Sequence, residues 1–306
     1  MTQGEATGIV QKCRYLARDP NVVSLGVGWK RRGGRVRDEL ALVVGVRGKR
    51  SPRRIPKGYR IPEFVNVDGA PLRTDVIPLR RKRFAAAGSG TAATPMRIRA
   101  RGGSEGTLGA FLSDQNGRQF ILSCSHVLTD FGRFSVLDHP IEDAASGRRI
   151  ARLCRFMNLI PGADNSVDGA LAEVIDPRLR ARVGVPVVPG IAEVEQDERV
   201  WVLDGQGGRS GVVQRLGIAE KAYGWANDQY EYCWMVGQVE VSELGQGGDS
   251  GSLVVNAHGH AVGLYVVDNG ARDLMTPIAR VLDALGDPAA CVAGASDQNP
   301  LQLAWV

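Results

Sequence analysis

The chain has 306 residues, 43% of them hydrophobic, with 38 Lys+Arg against 33 Asp+Glu for a net charge of +5. That length allows two domains, or one with an extension, and that apolar share allows a real core. No apolar run reaches the roughly 18 residues a membrane helix needs, so no span is predicted. The charge is uneven. Residues 1–100 hold 22 basic and 7 acidic residues, net +15, and the remainder is net −10. The two regions could dock on one another, or the basic one could meet an acidic partner. No nucleic-acid-binding module or aromatic interleaving accompanies the charge, so nucleic acid is not the expected partner. The N-terminus lacks a long apolar stretch and a small-residue cleavage site, and so does not read as a signal peptide. The cysteines (Cys13, Cys124, Cys154, Cys233 and Cys291) are odd in number and fit no CxxC spacing. Reduced, mostly buried thiols in a cytoplasmic protein are expected.

In chain order, residues 2–18 predict a short helix with Ile9, Val10, Cys13, Leu16 and Ala17 near one face. VVSLGVGWK (22–30) and ELALVVGVRGK (39–49) predict a hairpin, and FVNVDG and TDVIPL two further short strands. Residues 1–80 thus read as a small basic α+β unit. At 81–95 charge gives way to Ala, Gly, Ser and Thr, which is linker composition. The basic run Arg80–Arg83 at its start is a solvated charge cluster, a processing site or an acidic-partner contact. From Met96 short strands and turns recur: GTLGAFLSD and QFILSCSHVL around QNGR, then LCRFMNL, VDGALAEVI, RVWVLDG, SGVVQRLG, QVEVSEL, SLVVN and AVGLYVV. Thirty-nine glycines and fifteen prolines fit that many turns, and the spacing predicts a mainly β barrel or sandwich. TPIARVLDALG (276–286) predicts a helix capped by Thr276 and ended by Gly286. The tail, 291–306, ends in the apolar LQLAWV, expected to pack on the body.

One stretch organises the rest. GQGGDSGSLVV (245–255) sets Ser250 in a glycine-rich turn before an apolar strand. Such a turn can aim the amides of Gly248 and Ser250 at one point, where a developing oxyanion would lose about 2.7–4 kcal/mol of stabilisation with either donor gone. A glycine-rich β-turn with a capping serine is the bland alternative. A serine nucleophile needs a base, and the base an orienting group. Of four histidines, His139 stands in a turn-like DHP context, and His258 and His260 sit in a tight hairpin. HGH there lacks a third ligand, so no metal is expected. His126, after the apolar strand ILSCS, is the candidate base. Asp168, opening the strand GALAEV, is the candidate orienting acid, since a buried carboxylate requires a donor. Asp164 competes for that role, and either could be a plain turn aspartate.

The order His126, Asp168, Ser250 in SCSHVL, VDGALAEV and GGDSGSLVV resembles the trypsin/chymotrypsin-like serine peptidase superfamily over about residues 100–286. GLYVV and DLMTPIARVLDAL resemble the closing strand and helix of its bacterial, non-digestive members. The N-terminal unit is similar to the intracellular branch that includes plant narrow-leaf-type peptidases. The resemblance implies a chymotrypsin-like double β-barrel at 96–290 and a serine endopeptidase with a protein or peptide substrate and no cofactor. Ser250 would be the nucleophile, His126 the base, Asp168 its orienting acid, and Gly248 and Ser250 the oxyanion hole. Departures from the family follow. The secreted members' disulfides are absent. Leu244 stands six residues before the serine, where trypsin-like members carry an acid, so cleavage after Lys or Arg is not favoured. The pocket wall aligns near Val266, Val267 and Asp268. Asp249, whose counterpart pairs with a newly freed amino terminus in zymogen-type members, is expected either to hold its loop by local hydrogen bonds or to sit in a loop that orders only when a partner or substrate docks. A catalytically silent binding protein on the same fold is the alternative, as is control by a regulatory partner or by the basic N-terminal unit.

Overall fold

The computed structural model describes residues 1–32, 35–79, 82–84, 96–183, 188–203, 208–224, 232–268, 272–294 and 299–306. It is mainly β, with two curled sheets, the first and second barrels, behind an N-terminal α+β segment.

Helix α1 (Gln3–Lys12) starts in a capping box. Thr2 accepts from the Glu5 amide, and the Glu5 carboxylate accepts from the Thr2 amide. Strands β1 (Val22–Arg32) and β2 (Arg35–Val46) form the expected hairpin. β3 (Phe64–Val67) and β4 (Ala70–Pro78) form a second, with β4 parallel to β2. The short β5 (Lys82–Phe84) lies within the region read as linker; Arg80, Arg81 and 85–95 lie outside the described residues.

The first curled sheet holds β6 (Arg97–Ala100), β7 (Glu105–Thr107), β8 (Ala110–Ser113), β9 (Gln119–Ser123), β10 (Pro140–Asp143), β11 (Arg149–Phe156) and β13 (Ala170–Val174). A one-turn helix, α2 (Ser125–Leu128), follows β9, and a second, α3 (Leu179–Arg182), follows β13. Two-residue β12 (Asp164–Asn165) pairs across to the second barrel. That barrel is a closed ring of β14 (Arg199–Val202), β15 (Ser210–Tyr223), β16 (Tyr232–Ser242), β19 (Arg272–Pro277), β18 (Ala261–Asp268) and β17 (Leu253–Asn256), returning to β14. Closure leaves no bare edge around the ring. Helix α4 (Ile278–Gly286) follows β19 directly. Thr276, expected as its cap, is instead a buried strand residue whose hydroxyl donates to Gln238 Oε1 at 2.7 Å, and Pro277 takes the capping position.

The tail packs as expected: β20 (Val292–Ala293) adds to β11 and β21 (Ala304–Trp305) to β8. Arg155, fully buried, donates to the carbonyls of Leu285 (2.9 Å), Gly286 (3.0 Å) and Asn299 (2.6 Å). It thereby satisfies carbonyls at the end of α4 and pins the tail beneath the first barrel.

The N-terminal segment is continuous with the second barrel. β1 pairs antiparallel with β15, and Ala6, Val10, Leu25 and Val27 share a core with Leu216, Val239 and Met275. The basic segment also meets the rest through Arg14, 2.5 Å from Asp164 and stacked over Trp234, and through Arg47, which donates to the Tyr223 hydroxyl at 2.8 Å. At the seam Arg215 is buried. Its Nε donates to Glu240 Oε1 at 2.9 Å, its Nη2 to Glu240 Oε2, and its Nη1 to Ser24 Oγ at 3.2 Å. Burial alone would lower the guanidinium's affinity for its proton; Glu240 and Glu220 outweigh it and raise it.

Removing one member of a buried pair strands the other charge. Glu240→Ala is therefore expected to cost about 3–5 kcal/mol of stability, read by urea denaturation.

Candidate active site

α2 presents His126 at 2% exposure, and the segment before β13 presents Asp168 at 0%. His126 Nδ1 lies 2.5 Å from Asp168 Oδ2, and the His126 backbone amide donates to Asp168 Oδ1 at 3.0 Å. The carboxylate thus holds both the ring and the main chain of one residue. With Asp168 accepting, Nδ1 is the donor of this bond and Nε2 takes no part in it. The Phe131 ring tilts against the imidazole at a centroid distance of 5.1 Å. Asp164 is placed elsewhere, on Arg14.

Ser250 sits between β16 and β17 at 0% exposure, with its hydroxyl donating to the Val266 carbonyl at 3.0 Å. Its loop is fastened to the segment that carries His126. The Tyr265 carbonyl accepts from both the Gly251 amide (2.8 Å) and Cys124 Sγ (3.2 Å), two residues before His126. The Ser250 carbonyl accepts from the Thr107 amide at 2.9 Å, and Ser123 Oγ donates to the Thr107 carbonyl at 2.7 Å. Gly251 has φ +92°, and a Cβ there would lie 2.1 Å from Ser123 Oγ, so no side chain fits between the loop and β9. Gly248 also has φ +92°. Its carbonyl accepts from Thr107 Oγ1 at 2.9 Å and from Arg97 Nη1, and a Cβ there would lie 2.5 Å from that guanidinium.

Asp249 has two cationic partners that sequence reasoning missed. Arg97 Nη2 reaches its Oδ1 at 3.1 Å and Arg209 Nη2 its Oδ2, while the Gln246 amide donates to Oδ2 at 2.9 Å. Both arginines lie far from Asp249 in sequence, one on β6 and one just before β15. The clue available was the unanswered need of a loop aspartate for a positive partner.

Leu244, Val266 and Val267 are all buried, but Leu244 packs into the core shared with the N-terminal segment, while Val266 and Val267 pack into the one reaching the first barrel. The Leu244 and Gly245 amides both donate to Asp273 Oδ2, at 2.7 and 2.8 Å. The side chain of Asp268 lies outside the described residues. His139 stacks on Phe134 at 4.6 Å, and His258 and His260 occupy the turn from β17 to β18.

Cys124, His126 and Asp168 bring their donor atoms within 4.8 Å of one another. Burial first, then the Asp168 charge, raises the Cys124 thiol well above its ordinary value, so it stays protonated. A metal would need the thiolate and would have to break the His126–Asp168 bond. The group suits a hydrogen-bonded His126–Asp168 pair better than a ligand set.

No family profile matches the sequence, and no curated protein does. Among solved structures the fold is similar to a glutamic acid specific serine protease, 14% identical with a TM-score of 0.46, over 63% of this chain and 97% of that one. It is also similar to Nocardiopsis protease, 13% identical with a TM-score of 0.43, over 63% and 95%. A third is the chymotrypsin of Cellulomonas bogoriensis, 15% identical with a TM-score of 0.42, over 64% and 96%. At these identities and TM-scores the likenesses carry no argument about what this chain does.

Arg97→Ala removes one of two cations from a buried carboxylate and is expected to destabilise the folded chain by about 3 kcal/mol, measured by urea melts. All five cysteines are free, and burial pushes the Cys233 thiol up to about 12. Four are buried and Cys291 is partly exposed, so iodoacetamide on the native chain should modify Cys291 first by peptide mass mapping.

Proposed function

We propose that this chain is a serine endopeptidase of the chymotrypsin-like superfamily. The observation that carries the reading is the two-point hold of Asp168 on His126, inside a core to which the Ser250 loop is directly hydrogen-bonded. Ser250 Oγ attacks the peptide carbonyl and gives its proton to His126 Nε2. Asp168 keeps the other ring proton in place and stabilises the imidazolium. The amides of Gly248 and Ser250 receive the oxyanion. His126 returns the proton to the departing amine, leaving an acyl-enzyme that water cleaves by the same steps reversed.

Leu244 stands where trypsin-like members carry an acid, so this reading takes a small or apolar substrate side chain rather than Lys or Arg, although the Leu244 side chain itself is packed into the core shared with the N-terminal segment. In this reading residues 96–290 are the catalytic double barrel, 1–80 a basic unit that controls access to it, 81–95 their connection and 291–306 a tail. The free thiols and the N-terminal unit favour a cytoplasmic enzyme of the intracellular branch similar to plant narrow-leaf-type peptidases. Among the described residues no helix is long and apolar enough to cross a membrane.

A second reading, a binding protein with a silent site, is favoured by one observation: His126, Asp168 and Ser250 are at most 2% exposed. A fluorophosphonate probe separates the two. Labelling that disappears in Ser250→Ala supports the enzyme, and a folded chain that never labels supports the binder. Asp168→Asn, which shifts the imidazole tautomer, is expected to lower kcat about ten-thousand-fold on a peptide found by proteome-wide cleavage profiling.

A further inference from the structure

The Val266 carbonyl receives the Ser250 hydroxyl, so a peptide presenting its carbonyl to Ser250 must run past Val266. Its extended backbone would follow the edge of β18, whose next two residues are Val267 and Asp268. That edge is already taken. β5 pairs antiparallel with it, Phe84 opposite Val267 and Arg83 opposite Asp268. The other side of β5 runs parallel to the end of β15, Lys82 opposite Ala222 and Arg83 opposite Tyr223. The opposite edge of β18 is committed to β19, where Val267 faces Leu274. A three-residue strand from outside the barrels is thus wedged one register step from the acceptor of the Ser250 hydroxyl.

Adding a strand to a sheet edge is a general way to bind an extended peptide, with affinity supplied mainly by backbone hydrogen bonds. A segment tethered to the same chain acts as a ligand at an effective concentration of about millimolar. The reacting groups are sealed at the same time, Ser250 at 0% exposure and His126 at 2%. We propose that Lys82–Phe84 occupies the substrate strand of the cleft, so that the full-length chain blocks itself and a substrate enters by displacing β5 and adding its own antiparallel strand to β18. This rests on the peptidase reading and names how that site takes and refuses peptides.

The test uses the full chain and a fluorophosphonate probe. Proline has no amide to donate and fits poorly within a ladder, so Arg83→Pro with Phe84→Pro should release β5 without touching the reacting groups. Release of the block is expected to speed Ser250 labelling about tenfold or more, because the competent fraction rises. Equal rates in a variant that melts cooperatively overturn the self-block and leave the hydrolase standing. No labelling of either chain ends the hydrolase reading and this inference with it. Should the proline variant fail to fold, hydrogen exchange on the unsubstituted chain decides. After reaction with a peptidyl fluorophosphonate, residues 82–84 are expected to exchange about tenfold faster while 266–268 stay protected. Unchanged protection of 82–84 in the reacted chain overturns the proposal.

Discussion

A buried carboxylate between two guanidinium groups fixes the geometry on which the rest of the site depends. Asp249 lies almost wholly out of water, where an isolated carboxylate would be severely penalised. Arg97 comes from the first barrel and Arg209 from the second, so the Ser250 loop is held by charges from both sides of the molecule. Arg97 also reaches the Gly248 carbonyl, and Thr107, which donates to the same carbonyl, passes its backbone to Ser123 and Ser250. One connected set of polar bonds thus joins the glycine turn to the strand leading to His126. A connected set like this rigidifies what it touches. The positive partners of Asp249 are two arginines of the same chain, one from each barrel.

The second barrel carries a further dependence. β15 is buried along its whole second half because three things cover it: β1 along one edge, α1 on one face and the barrel interior on the other. Charged residues there have to be matched locally. Glu220 lies 3.6 Å from Arg215, and Lys221 stands over the rings of Tyr232 and Trp234 at 4.6 and 5.0 Å. The N-terminal segment is therefore part of the environment that makes this strand possible. Helix α1 touches β16 directly, Gln3 Nε2 donating to the Gly237 and Gln238 carbonyls, and β1 reaches it through β15; β16 leads into the loop carrying Ser250.

A site built this way is orderly and closed together. The bonds that hold His126, Asp168 and the Ser250 loop also leave all three residues out of solvent, and the end of β18 beyond Val266 is paired with β5 from the N-terminal side.

The sequence by itself determined the local features whose chemistry is local. The glycine turn around Ser250, the β-rich spacing from Met96, the first hairpin, the helix after β19 and the free thiols could all be read because each depends on nearby residues and a short period. His126 and Asp168 could be singled out because an imidazole beside an apolar strand and an aspartate opening another each need a partner. Only the tertiary structure decided which aspartate meets that imidazole, since Asp164 and Asp168 differ by four positions: Asp168, just before β13, meets His126, and Asp164, on β12, meets Arg14. It also decided the partners of Asp249, the second half of β15 with its buried Glu220 and Lys221, the strand role of Thr276 and the seat of β5 on β18. Apart from Arg215, Tyr232 and Trp234, which stand close in sequence to Glu220 and Lys221, the determining group lies dozens of residues away or more. Periodicity records whether a residue faces a core, but not which distant charge or strand edge compensates it there.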